Sequence, residues 1–290
     1  MAQHFETLGR YCGAVSWDTA IEIQSVSGEV DKKAKGIVAD RSLTADLTPA
    51  KKLLGQLTPT DIVLTTNFDT VLERAAANAH RSLSIGLPPV REGRVLRCQH
   101  GPDAIRLLKL HGSVDWYLAT RRACVGELPQ GVDVLYMKVD DNREGHASDT
   151  RSGELEHDFC LTRCATADAA RELVGDFFPD HRAAMPRFGG TKQPHNLSGL
   201  GLLWAAAARD LRDATQLICI GFSFSDQDQL IRLLLANSLR ARTSPPSVML
   251  VDPSSCDIAR RIGHLLPNPK LVKSPHQDVN WTSVLEDSPV

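Results

Sequence analysis

Four short apolar runs constrain this chain most. They are Asp61–Thr66, Ala104–Leu110, Leu217–Ile220 and Val248–Val251. Each is rich in Leu, Ile or Val and too short for an ordinary helix, so each reads as a buried strand. Each ends in a polar turn. Helix-patterned stretches follow three of them: 71–80, Gln229–Leu239 and Ser255–Leu266. Another, Leu200–Leu211, precedes the third run. Strands alternating with helices predict an α/β fold, a parallel sheet with helices on both faces.

Local signals refine the boundaries. Thr48-Pro49 reads as an N-cap with Pro at the first helical position, ahead of AKKLLGQL, and Pro59 closes that helix. Thr70-Val-Leu-Glu73 matches a capping box, and Ser225 with Asp228 can cap the helix at 229. Residues 1–45 are weakly patterned, with Phe5, Leu8 and Tyr11 at helical spacing. A long polar stretch, 119–196, reads as an insertion or mobile lid with short helices. The organisation expected is a helical segment over 1–45, a main domain over 46–275 that carries the insertion, and a tail over 276–290.

Composition narrows the function classes. Lys and Arg number 33 against 35 Asp and Glu, a net charge of −2, which excludes a generally basic nucleic-acid coat. No apolar run approaches the roughly 20 residues of a membrane span. The start lacks the apolar stretch of a signal peptide. Seven cysteines, odd in number and irregular in spacing, argue against a disulfide framework. The expectation is a cytoplasmic protein that takes neither nucleic acid nor membrane as partner. His157, Cys160 and Cys164 are the best metal candidates. They make only three ligands and contain no C-x-x-C pair, so no metal is expected.

Chemistry concentrates in the turns after the strands, where parallel sheets place ligands. Thr66, Asn67 and Asp69 follow the first strand, His111 the second, Gly221 and Ser223 the third, and Asp252 the fourth. Plainer roles compete at several positions. Asn67 and Asp69 suit a turn or helix cap, and the serines suit turns. Asp226 and Asp228 suit a helix N-terminus, and Trp116 and Trp204 suit a core.

In this order, TTNFDTVLERA, KLHGSVDW and ICIGFSFSDQDQLIRLL resemble the Sir2-like domains of bacteria, within the sirtuin superfamily of NAD-binding proteins. The resemblance implies a Rossmann-like sheet with NAD as substrate. It implies that Asn67 positions the nicotinamide ribose and the attacking water, and that His111 is the catalytic base. It counts Thr66 among the cofactor-binding residues and places Asp69 near the nicotinamide amide, Gly221 and Ser223 beside ribose and phosphates, and Asp252 at the adenosine ribose. Many such domains resemble NAD-degrading effectors of anti-phage defence.

Two departures matter. The family's opening Gly-Ala-Gly-x-Ser phosphate loop is not found; Gly13-Ala-Val-Ser16 is the nearest string, with Val at the second glycine. The chain reads as lacking the family's first strand, through a start placed too late, through decay, or because a second copy or partner subunit completes the site. The paired C-x-x-C zinc motifs of deacylating sirtuins are also absent. Three functions stay open: an NAD glycohydrolase, a non-catalytic nucleotide- or protein-binding module, and an NAD-dependent deacylase.

Overall fold

A computed structural model describes residues 29–85, 96–97, 103–120, 130–138, 159–165, 169, 172, 200–224, 228–240, 242, 244–266 and 268–286. The chain runs through α1 (Glu29–Thr44), α2 (Thr48–Gln56), β1 (Ile62–Thr65), α3 (Val71–Asn78), β2 (Leu83–Ser84), β3 (Leu96–Arg97) and β4 (Ile105–Lys109). Then come β5 (Trp116–Thr120), β6 (Val132–Lys138), β7 (Phe159–Cys164), α4 (Leu200–Asp213), β8 (Gln216–Ile220) and α5 (Gln229–Arg240). It closes with β9 (Ser247–Val251), α6 (Ser255–Ile262), β10 (Lys270–Val272), a 3₁₀ turn (His276–Asp278) and α7 (Trp281–Glu286).

The four predicted strands are β1, β4, β8 and β9. They form two parallel sheets. In the first, β4 lies between β1 and β2, with Ile62 opposite Arg106 and Thr65 opposite Lys109. In the second, β9 lies between β8 and β10, with Gln216 opposite Ser247 and Ile220 opposite Val251.

Alternation along the strands sorts their side chains to two faces. On one face Leu108, Val248 and Leu250 meet Leu203, Ala207 and Leu211 of α4 and Ile231 and Leu235 of α5. Ile62 and Leu64 of β1 pack against this cluster, as do Leu217 and Cys219 of β8. On the other face Val63 and Ile105 join Leu54, Ala75 and Ala76. Ile218, Ile220, Met249 and Val251 join Leu53, Val279 and Trp281. Leu53 and Leu54, neighbours in α2, therefore enter different clusters, and α2 lies across both sheets. The result is an α/β architecture with helices on both faces.

Burial follows position in the sheet. All four residues of β1 and all five of β8 are only half-buried. Four of five are buried in both β4 and β9. Among the described residues, β1 and β8 each pair on one side only.

Three expectations need correction. The described part of 119–196 is chiefly strand: β6 and β7 join β3 and β5 in a four-stranded antiparallel sheet of order β3-β6-β7-β5. Val132-Asp-Val-Leu-Tyr136 and Phe159-Cys-Leu-Thr162 carry the β-branched and aromatic residues that suit a pleated surface. The expected tail over 276–290 is in part core, because Val279 and Trp281 are buried. The first cap sits one residue early. Thr48 is already helical, Leu47 holds the cap position, and the Asp46 carboxylate accepts the Thr48 amide at 2.9 Å.

Among the described residues, no helix is long and apolar enough to cross a membrane. Also among them, no three His, Cys, Asp or Glu side chains gather as metal ligands. His157, Gly13–Ser16 and Ser225–Asp226 lie outside the described residues.

Candidate functional site

The first turn begins where β1 stops. Leu110 donates its amide to the Thr65 carbonyl at 2.9 Å, which carries the β1–β4 pairing one residue beyond the strands. Asn67 donates its amide to Thr65 Oγ1 at 3.1 Å, and its side chain is exposed. Thr66 and Asp69 are half-buried. Asp69 Oδ1 accepts the Val71 amide at 3.0 Å, so its carboxylate caps α3. That corrects the capping box, since Thr70 makes no side-chain cap bond. Glu73 is drawn inward to an ion pair instead.

The second turn follows β4 and closes against the first. Val114 donates its amide to the Phe68 carbonyl at 2.9 Å. Gly112, at φ +75°, makes the reversal that an L side chain would resist. His111 is 3% exposed and stacks on Phe68 with ring centroids 5.8 Å apart. Trp204 flanks it at 6.1 Å and donates Nε1–H to the Leu110 carbonyl at 2.8 Å. Trp204 is half-buried, packs against the core rather than within it, and also helps fix the imidazole plane. The turns bearing Asn67 and His111 are brought together.

Beneath both turns lies a side chain that the sequence reading passed over. Lys109 is 1% exposed. Its ammonium donates to Glu73 Oε1 at 2.7 Å, to Ser113 Oγ at 2.8 Å and to the Asp69 carbonyl. Ser113 is fully buried and donates to the Phe68 carbonyl at 3.3 Å. Burial pushes the Glu73 carboxyl above its ordinary range, against the pull of Lys109 and with a smaller push from Asp115. Glu73 Oε2 and Asp115 Oδ1 are buried without a hydrogen-bond partner. The signal was present: a lysine inside the otherwise apolar Leu107-Leu-Lys-Leu110 must either reach solvent or find a buried partner.

The third and fourth turns are tied to each other. Gly221, at φ +60°, donates its amide to the Val251 carbonyl at 3.0 Å. That amide is therefore engaged, and what Gly221 offers a ligand is open space, since an added Cβ would meet nothing within 4 Å. Ser223 is exposed. Phe224 is buried at φ +50° and meets Phe222 edge to face at 4.6 Å. Asp252 is half-buried; its Oδ1 accepts the Ser254 amide at 2.7 Å and caps the approach to α6.

All four turns leave the carboxyl ends of their strands. Among the described residues, β1 is an edge strand of one parallel sheet and β8 of the other. Open α/β sheets bind ligands outside the carboxyl ends of their strands.

Residues 61–127 match the family model of the SIR2-like domain. The matched segment starts one residue before β1 and takes in both the Asn67 and the His111 turn. No curated protein matches the chain. This chain therefore carries a SIR2-like domain at residues 61–127, set in an α/β fold of parallel sheets flanked by helices.

Proposed function

We propose that the chain binds NAD and hydrolyses it to nicotinamide and ADP-ribose. The observation that carries this reading is the union of the Asn67 and His111 turns within the matched SIR2-like segment. Nicotinamide leaves as a neutral base, so the bond at the anomeric carbon breaks without a general acid. Water supplies the new C–O bond, and the departing ring nitrogen keeps the electron pair. The protein's tasks are to orient that water and to take its proton. Asn67, exposed beside the site, has an amide that both donates and accepts, which suits orientation of water and ribose hydroxyls. His111 is the proton acceptor.

The residues fit the nicotinamide-riboside half of NAD better than the pyrophosphate. Asp69 lies near the nicotinamide amide, and Thr66 beside it contacts the cofactor. Gly221, acting through its missing side chain, and Ser223 lie beside the ribose and phosphates, and Asp252 at the adenosine ribose. Val15 stands where the family's phosphate loop has its second glycine, which supports completion of the site by a second copy or a partner subunit. A cytoplasmic effector of anti-phage defence is the setting this reading favours. The same departure from the phosphate loop favours the second reading, a binding module without turnover.

The test is NAD loss and nicotinamide release by the purified full chain beside Asn67→Ala and His111→Ala. Turnover that falls at least a hundredfold in His111→Ala supports the hydrolase, since general-base catalysis contributes about 10²–10⁴-fold. NAD that binds but stays intact at high protein concentration points to the binding module. Release of an acetyl group from a peptide, lost in His111→Ala, would restore the deacylase.

A further inference from the structure

We propose that Lys109 is a positioning residue whose buried ammonium holds the Asn67–Asp69 turn and the His111–Ser113 turn in a fixed relation. Its role in turnover rests on the NAD-cleaving reading; its role in geometry does not. Three observations carry it. The ammonium donates to one group from each of three places: the Asp69 carbonyl in the first turn, Ser113 Oγ in the second, and Glu73 Oε1 on α3. Ser113 in turn donates to the Phe68 carbonyl, which closes the circuit between the turns. Phe68 and Ser113 bracket the groups that matter, because Phe68 follows Asn67 and stacks on His111, and Ser113 lies two residues past His111.

Energetics argue against a merely structural role. A buried ion pair is commonly no more stabilising than apolar side chains of similar volume. Here the pair also leaves Glu73 Oε2 buried without a hydrogen-bond partner. Leucine or methionine at 109 would continue Ile105 and Leu107 on the same strand face. What an apolar side chain cannot do is direct three hydrogen bonds at two turns and a helix. Orientation has large leverage on rate, since about 1 Å of misplacement costs on the order of a hundredfold.

The experiment compares wild type with the double variant Lys109→Met/Glu73→Leu, which removes both charges and leaves neither orphaned. The readouts are thermal unfolding, kcat and KM for NAD, and the side-chain NMR resonance of His111 (identified by its loss in His111→Gln). The double variant is expected to unfold near the wild-type temperature. Its kcat falls about a hundredfold with KM within about threefold. The His111 resonance shifts, because the imidazole moves relative to the Phe68 and Trp204 rings. A folded double variant with kcat within twofold of wild type overturns the proposal. If wild type itself leaves NAD intact, the hydrolase reading fails and the resonance alone decides: a shift upholds the positioning role, and an unmoved resonance overturns it. Should the double variant not fold, Ser113→Ala removes one strap. About tenfold lower kcat or a moved resonance then supports the proposal, and no change in either overturns it.

Discussion

Glu73 occupies the first turn of α3, where a carboxylate ordinarily serves the helix dipole from outside. Here it turns in to Lys109 at 2.7 Å. Burial raises its carboxyl above 4.5 more than Lys109 lowers it. The folded protein therefore holds this proton more tightly than the unfolded chain does. Above about pH 4.5 the folded state binds more protons, so this group's contribution to stability is lost as pH rises through the folded value. Glu73→Gln cannot show that loss. Its urea midpoint, measured relative to wild type, is expected to rise between pH 4.5 and 7. A relative midpoint that falls instead would mean that Lys109 outweighs burial. Legibility at this scale was uneven. Asn67 and His111 could be picked out because polar residues after apolar strands are conspicuous. Asp69 had a second role open to it, and the structure gives its carboxylate the α3 cap. Lys109 was missed, because nothing local distinguishes a lysine that reaches water from one that reaches a carboxylate 36 residues away.

Elements were legible where the pattern is strong and self-contained. β1, β4, β8 and β9 were predicted within a residue or so, since each is a continuous apolar run closed by turn residues. α4 and α5 carry clear helical periodicity. Short or mixed pieces were not seen. β2 is two residues long, β10 is three, and neither has a hydrophobic pattern of its own. α7 is the instructive case. Six residues near the end of the chain read as tail, yet Trp281 is 3% exposed and joins Met249, Val251 and Val279. Trp281→Ala is expected to cost about 3 kcal/mol, the usual toll of removing a buried aromatic. Chemical denaturation measures this directly, and a change below 0.5 kcal/mol, the scale of an ordinary surface substitution, would return the segment to the status of a tail.

At the scale of the whole molecule, two parallel sheets share cover on both faces while β1 and β8 pair on one side only among the described residues. A parallel edge strand leaves alternate amides without a ladder partner. Hydrogen exchange on the isolated chain should then protect β4 and β9 most. In β1 and β8, fast and slow amides should alternate. Uniform protection along both edges would mean that a further strand is paired there. The α/β class was set by the sequence alone, because short apolar runs joined to amphipathic helices leave few other ways to bury both. So was the placing of polar residues at strand ends, because turn chemistry is local. Strand order, the meeting of the Asn67 and His111 turns, the inward turn of Glu73 and the burial of Lys109 belonged to the tertiary structure. Each depends on groups far apart in the chain, and the energy that decides among their arrangements exists only once the sheets and helices have packed.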